Sequence, residues 1–183
     1  MAITAKKVCK SLPEYDTVRR MLKTDFPANE QIPYFLLKMT AAIRKGVQFR
    51  ALYDDDQFCG FIYTGENETH VFVLFFAVNS QIRSKGYGSK ILSWLKEETH
   101  KTIYLNVEAL DPAAPNAVQR EKRVAFYAKN GITDTGYAFI DRNTLLSILS
   151  SDSEHFDIDS YVKVLRSMFF GYNKKISKTE DLR

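Results

Sequence analysis

A glycine-containing segment between an apolar run and an amphipathic run has the residue types and spacing of an anion-binding site. Its residues, 81–89, read Gln-Ile-Arg-Ser-Lys-Gly-Tyr-Gly-Ser. If a helix begins here, its first N–H groups have no partner within the helix and lie at the positive end of its dipole. Gly86 and Gly88 would let an anion approach the backbone, and Arg83 and Lys85 would add positive charge. The segment therefore predicts a site for a pyrophosphate group.

Two other phosphate-binding motifs can be compared with this segment by their spacing. A P-loop needs two glycines five apart followed by Lys and by Ser or Thr, and the segment lacks that pattern. A dinucleotide-binding fold needs a third glycine three residues after Gly88, where Ile91 stands instead. It also needs an acidic residue at the end of the next strand, about 20 residues on, which Glu108 could supply. This alternative is weakened but stays open.

The composition is that of one globular domain that needs no disulfide or metal to fold. The chain has 183 residues, of which 45% are hydrophobic and 26% are charged. A net charge of +4 is compatible with an anionic ligand. The basic residues are spread among acidic ones, however, so we expect no nucleic-acid partner.

Neither the cysteines nor the hydrophobic runs indicate a metal site or a membrane segment. Cys9 and Cys59 are far apart, and His, Cys and acidic residues do not cluster at metal-ligand spacing, so we expect no metal. The first residues lack an apolar run of signal-peptide length, and the longest apolar run, residues 71–78, is too short to span a bilayer. We expect a cytoplasmic protein without a membrane partner.

The hydrophobic pattern predicts an α/β fold with a mixed sheet and helices on both of its faces. Two helices, about 13–26 and 33–44, precede strands at 47–53, 58–64 and 70–78. The third strand is apolar on both sides, which is typical of a central strand in a covered sheet. Simple alternation would place Val71, Val73, Phe75 and Ala77 on one side of it.

The second half of the chain continues the alternation of strands and helices. A helix after residue 86 is followed by a strand at 103–110. The apolar residues of this strand share one face, and its polar residues, which include Glu108, share the other. A helix at 117–130, a hairpin of strands 133–141 and 145–149, and a helix capped by Asp157 complete the prediction. Residues 1–150 would form the main domain, and 151–183 a helical extension packed on it, frayed after Gly171.

Two motifs in the predicted order resemble those of the GNAT (Gcn5-related) N-acetyltransferases. The first is Arg83-x-x-Gly86-x-Gly88 after the apolar strand, and it looks like the acetyl-CoA loop of that family. The second is Phe126-Tyr127, three residues, then Gly131 and an apolar residue. The resemblance covers about residues 1–150, and it implies a mostly antiparallel sheet whose middle strands splay apart.

The resemblance also implies which residues hold acetyl-CoA and which one acts as an acid. The loop amides would bind its pyrophosphate, and the pantetheine arm would pair with the edge of the strand before the loop. Tyr127 would protonate the departing thiolate. Packing of an aromatic ring between helix and sheet is the alternative role for this residue. The cofactor residues carried over by position are Phe76, Ala77, Val78, Arg83, Ser84, Lys85, Gly86, Tyr87, Gly88 and Ser89.

The sequence departs from the family where a general base is expected. Many members carry a glutamate on the strand before the loop, but residues 72–76 contain no acid. Members of the family usually also carry an asparagine seven residues before the tyrosine, where this sequence has Arg120. We do not transfer the role of that asparagine to Asn116. Glu108 is the best remaining candidate for the base. An ion pair with Arg120 or Arg123 is an equally good interpretation of Glu108, while Glu66 and His70 are weaker candidates.

The function implied is acetyl transfer from acetyl-CoA, as cosubstrate, to a primary amine of a small molecule or a protein. The alternative is a GNAT-type domain that binds or senses acyl-CoA without turnover, which the missing glutamate favours. The apolar end of the last helix, residues 168–170, could form a homodimer surface, although packing against the core explains it as well.

Overall fold

A single eight-stranded sheet with five α-helices forms the protein, and the computed structural model describes residues 3–28, 30–83, 85–169 and 172–182. The strands are β1 (Ile3–Lys7), β2 (Val47–Asp54), β3 (Gln57–Glu66), β4 (His70–Val78), β5 (Thr102–Glu108), β6 (Thr133–Asp141), β7 (Thr144–Ser150) and β8 (Ser177–Lys178). The helices are α1 (Tyr15–Thr24), α2 (Tyr34–Ile43), α3 (Tyr87–Thr99), α4 (Ala117–Lys129) and α5 (Ile158–Met168).

The sheet is mixed, with a single parallel pair at its centre among the described strands. Its order is β1-β2-β3-β4-β5-β7-β6-β8, and all neighbours are antiparallel except β4 and β5. The crossover between the parallel strands contains α3, as such a connection requires. This confirms the predicted fold class and the central position of the strand that is apolar on both sides.

Helices cover both faces of the sheet, and each face has its own apolar core. On one face, α1, α2 and α5 contribute buried residues such as Val18, Leu37 and Tyr161. On the other, α3 contributes Ile91 and Leu95, and the partly buried apolar side chains of α4 pack beside them. Asp157 accepts hydrogen bonds from the first backbone N–H groups of α5, so the predicted cap is confirmed.

A β-bulge at Leu74 changes which side chains of β4 face each core. Tyr63 pairs with Phe75 and Thr64 with Val73, so Leu74 is an extra residue in β4. Val71 and Val73 therefore pack towards α3, whereas Phe75 and Ala77 pack towards α1 and α5. The alternation predicted from the sequence was wrong beyond Leu74, because one inserted residue reverses every later side chain.

Two strands at the ends of the chain were not predicted from the sequence. β1 pairs with β2 at one edge of the sheet, and β8 pairs with β6 at the other. The prediction of a frayed tail was wrong for this part, because Ser177 and Lys178 pair with Ala138 and Tyr137. Gly171, from which the fraying was expected, lies outside the described residues.

The apolar end of α5 packs inward. Met168 is buried in the core and Phe169 is partly buried against it, while Phe170 lies outside the described residues. Within the described ranges, no helix is both long enough and apolar enough to cross a bilayer.

Candidate functional site

The two central strands separate halfway along their length. β4 and β5 pair from His70 with Thr102 to Val73 with Leu105, and the pairing ends there. Beyond that point, the side of β4 that faces β5 has no strand partner among the described residues. The bulge at Leu74 sits directly at the separation. The cleft therefore offers unpaired backbone groups to which an extended ligand could bond like an added strand.

The N-terminus of α3 opens onto this cleft and has the features of an anion site. Gly86 is the N-cap residue, with a left-handed φ of 80° that favours glycine, and no atom lies within 4 Å of the place where a Cβ would stand. The first intrahelical bond is donated by Lys90 N–H to the Gly86 carbonyl. The N–H groups of residues 87–89 precede it and have no partner within the helix. This arrangement confirms the predicted strand-to-helix junction.

The second glycine has a different role from the first. A Cβ on Gly88 would lie 2.9 Å from the ring carbon Cζ of Phe126 in α4, which is too close. The absence of a side chain at Gly88 thus lets α4 approach the start of α3. Phe126 in turn contacts the ring of Tyr127, with the ring centres 5.2 Å apart. The glycine loop and the tyrosine are positioned together through this contact.

The charged and aromatic side chains of the loop are mostly engaged in holding it. Arg83 forms an ion pair with Asp25 of 2.8 Å, and its Nε donates to the Val78 carbonyl at 3.3 Å. The Tyr87 hydroxyl donates a hydrogen bond of 3.1 Å to a carboxylate oxygen of Asp54. Lys85 is exposed to solvent, and Ser84 lies outside the described residues.

Tyr127 is half-buried and remains a phenol at physiological pH. Burial raises its pKa to about 12, and the positive charge of Arg123 opposes this shift only in part. Its hydroxyl makes no hydrogen bond with any residue that the structure describes. A neutral, unpartnered phenol is able to donate a proton to a ligand in the cleft.

Two cavities meet where β4 and β5 separate. The loop cavity, ≈ 560 Å³, is lined by the start of α3, the end of β4 and Tyr127. Apart from Lys85, every described residue predicted to bind the cofactor lines it. The tail cavity, ≈ 390 Å³, is lined by β5, β6, α5 and residues 172–174, and Glu108 lies there. Residues that line both cavities are Glu30, Val73, Leu74, Asn106 and Arg123.

Glu108 is the centre of a buried ion-pair network. One of its carboxylate oxygens lies 2.9 Å from Arg120, and the other lies 3.3 Å from Arg123 and 3.0 Å from the amide nitrogen of Asn116. The side chain is 10% exposed. Both oxygens are thus already hydrogen-bonded, so the geometry favours the ion-pair interpretation of Glu108, while its role as a base stays a prediction. Glu66 pairs with Lys101 and lines neither cavity.

Glu108→Gln is expected to lower the free energy of unfolding by about 1–3 kcal/mol, since it leaves two arginines without their carboxylate. The ion pair with Arg123 contributes less to this loss than the one with Arg120, because the Arg123 side chain is 39% exposed and screened by solvent. Denaturant titration of the purified variant measures the loss. Glu121→Gln, on the exposed face of α4, is the matched control and should be neutral. Unchanged stability together with loss of the rise in rate with pH would instead support Glu108 as the base.

Glu30 and Asn106, which line both cavities, were not predicted as site residues. Glu30 lies between α1 and α2, in a segment without a recognisable motif. Asn106 is on the polar face predicted for β5, which was the one available signal. Its Oδ1 accepts a hydrogen bond of 2.9 Å from Tyr161, so its amide nitrogen is left to donate elsewhere.

Comparisons with known proteins agree with this geometry. The sequence model of the acetyltransferase (GNAT) family matches residues 15–132, which contain both glycines of the loop and Tyr127. A search of curated proteins found no match. The match to the family model covers more than half of the chain.

Solved structures of low sequence identity share the fold. One from Bacteroides thetaiotaomicron, assigned to the GNAT family, has a TM-score of 0.70 and 21% identity over 91% of this chain and 94% of that one. Ard1 from Thermoplasma volcanium has a TM-score of 0.58 and 18% identity over 82% of this chain and 97% of that one. An aminoglycoside 6'-N-acetyltransferase complexed with coenzyme A has a TM-score of 0.57 and 18% identity, over 80% and 95%. With its family match, its splayed sheet and its glycine loop, the chain belongs to the GNAT family of acetyltransferases.

Proposed function

We propose that the protein transfers an acetyl group from acetyl-CoA to a primary amine by direct attack. The observation that carries this proposal is the meeting of the two cavities where β4 and β5 separate. A thioester entering through one cavity and an amine entering through the other would meet at this junction. Direct transfer needs such a meeting point, because both substrates must be bound at once.

The loop cavity is the site proposed for acetyl-CoA. The N–H groups at the start of α3 would bind the pyrophosphate, with Gly86 leaving room beside them. Lys129 also lines this cavity and supplies positive charge. The unpaired edge of β4 from Phe76 to Val78 would bond to the amides of the pantetheine arm, which places the thioester near Leu74. One structural relative was solved in complex with coenzyme A, which supports coenzyme A as the kind of ligand.

Tyr127 is proposed to protonate the leaving sulfur. In the overall reaction, the ammonium form of the acceptor and the thioester give an amide, the coenzyme A thiol and one proton. The C–N bond forms as the C–S bond breaks, and the thiolate takes a proton from the phenol. One of the two protons that the nitrogen loses restores the phenol, and the other is released. Tyr127 lines the loop cavity and is a protonated phenol at the working pH, although its raised pKa makes it a weaker acid than an exposed tyrosine.

The tail cavity is proposed to take an amine carried on an apolar body. Buried or partly buried side chains form its walls, and they include Phe72, Phe75, Phe139, Leu146, Leu165 and Phe169. Its three acidic lining residues are accompanied by three basic ones. A polycationic acceptor would therefore meet little net negative charge. The walls suit either a small apolar amine or a peptide whose first residue is apolar.

The alternative function is binding of acyl-CoA without turnover. It would need the loop cavity but not the tail cavity. The unpartnered hydroxyl of Tyr127 and the open tail cavity favour an enzyme.

Release of free thiol from acetyl-CoA over a panel of amines tests the proposal. Phenethylamine, peptides with an apolar first residue, spermidine and an aminoglycoside should be compared, with apolar amines expected to give the highest kcat/KM. Coenzyme A should also raise the melting temperature. A thermal shift without thiol release from any amine would support the binding module, and the absence of both would overturn the assignment of the loop cavity.

A further inference from the structure

The reaction needs a base, and the position of each carboxylate relative to the cavities bears on which residue supplies it. An amine is mostly protonated at neutral pH and must lose a proton before it attacks the thioester. Residues 72–76 of β4 contain no acid. Glu108 lines the tail cavity and not the loop cavity. Of the described residues that line both cavities, Glu30 is the one carboxylate.

Glu30 differs from Glu108 in the availability of its oxygens. No described residue forms a hydrogen bond or an ion pair with the Glu30 carboxylate, whereas both oxygens of Glu108 are occupied by arginine and asparagine groups. Glu30 is half-buried. Its oxygens can therefore accept a hydrogen bond from a substrate ammonium without breaking an existing contact.

The segment that carries Glu30 is held at the end of α1 by local contacts. The Gln31 side chain donates to the carbonyl of Lys23 at 3.0 Å and to that of Phe26 at 2.9 Å. The Glu30 backbone N–H donates to the Pro27 carbonyl at 2.9 Å. The Phe26 ring packs against Phe75, with the ring centres 4.9 Å apart. These contacts fix Glu30 relative to β4 just beyond its bulge.

We propose that Glu30 is the general base, which takes the proton from the acceptor ammonium at the junction of the two cavities. The proposal rests on the proposed function. The proton passes from the nitrogen to the Glu30 carboxylate and from there to solvent, and it is the one proton that the overall reaction releases. The neutral nitrogen then attacks the thioester carbonyl, and the sulfur leaves with the proton of Tyr127. The second proton that the nitrogen loses as the amide forms restores the phenol of Tyr127.

The electrostatic surroundings make Glu30 a stronger base than an exposed glutamate. Burial raises its pKa, and the nearby negative charge of Glu108 raises it further, while Arg123 lowers it. Because Arg123 is paired with Glu108, its positive charge is shared between the two carboxylates. Other charged residues line the two cavities that meet at Glu30. Those of the loop cavity are Asp25, Arg83 and Lys129, and those of the tail cavity are Asp141, Arg142 and Lys174.

The test compares Glu30→Gln with the wild type, using the best acceptor of the amine panel. We expect kcat to fall about 10²-fold, at the lower end of the range for general base catalysis. The melting-temperature shift given by coenzyme A should stay the same, because Gln keeps the size of the side chain. Glu30→Asp should retain part of the activity. Glu108→Gln should keep the rise in rate with pH but shift it to lower pH, because the negative charge of Glu108 raises the pKa of Glu30.

A weakly basic acceptor separates base catalysis from a structural effect. In the oxy-analogue of the acceptor, oxygen replaces the methylene next to the amine. For phenethylamine this is O-benzylhydroxylamine, which is already neutral and needs little help from a base. The loss in Glu30→Gln should then largely disappear, as it should for the ordinary amine when the pH is raised.

The outcomes also distinguish this proposal from the one on which it rests. An equal loss with both acceptors at every pH, or no loss at all, would overturn the role of Glu30 while leaving the acetyltransferase intact. If the wild type releases no thiol with any amine, the proposed function itself fails.

Discussion

Tyr127→Phe is expected to lower kcat by about 10²- to 10⁴-fold while the affinity for acetyl-CoA changes by less than about twofold. The substitution removes the hydroxyl alone, and the ring keeps its contact with Phe126. The hydroxyl has no partner among the described residues, so its removal leaves no buried group unsatisfied. Steady-state thiol release and a coenzyme A titration measure the two quantities.

The pKa of Tyr127 predicts how this effect depends on pH. With a pKa of about 12 the phenol is protonated throughout the working range, so its proton is available below that value and is lost only above it. The deficit in Tyr127→Phe should therefore be constant between about pH 6 and pH 10. Tyr137→Phe, at another half-buried tyrosine that lines neither cavity, is the control. An unchanged kcat in the Tyr127 variant would reduce this residue to a packing role.

Gly86→Glu is expected to abolish the thermal shift given by coenzyme A and to raise the KM for acetyl-CoA at least about 10²-fold, equal to roughly 2.7 kcal/mol. The space beside Gly86, with no atom within 4 Å, is where we place the pyrophosphate. A glutamate there would put negative charge and bulk beside the N–H groups that should bind phosphate oxygens. Calorimetry with coenzyme A measures the loss of binding directly.

A second glycine provides a matched control for backbone strain. Gly136 has a φ of 77°, against 80° for Gly86, and likewise has no atom within 4 Å of its missing Cβ. It lines neither cavity. Gly136→Glu should thus cost a similar amount of stability, about 1–2 kcal/mol, without weakening coenzyme A binding. Equal binding by both variants would move the pyrophosphate site away from the start of α3.

The glycine loop was predictable because its signals are local. A completely apolar strand, two glycines two residues apart and an amphipathic helix follow one another within about thirty residues. Each of these elements depends on residues close in sequence, so the junction and the position of Gly86 as the residue before the helix could be predicted. The separate role of Gly88 could not, because it depends on Phe126 from another helix.

For Glu108, the sequence predicts the face of β5 on which the side chain lies but not whether its carboxylate is paired. Its position on the polar face of β5 was predicted correctly, since alternation in a regular strand assigns each side chain to a face. Whether that carboxylate is available or paired depends on how α4 docks beside the strand. In the structure, Arg120 and Arg123 reach it from that helix.

The sequence by itself determined the succession of the central strands and helices along the chain, the glycine-containing junction before α3 and the family, because these follow from hydrophobic period and from motifs of adjacent residues. Tertiary structure decided the rest. The bulge at Leu74 reverses the later side chains of β4, and Glu30 meets Asn106 and Arg123 only after three separate elements pack together. The end strands β1 and β8 form by pairing with the edge strands β2 and β6. A short polar segment carries no hydrophobic alternation from which such pairing could be predicted. Local patterns encode elements, whereas a site built from distant segments exists only once those elements have packed.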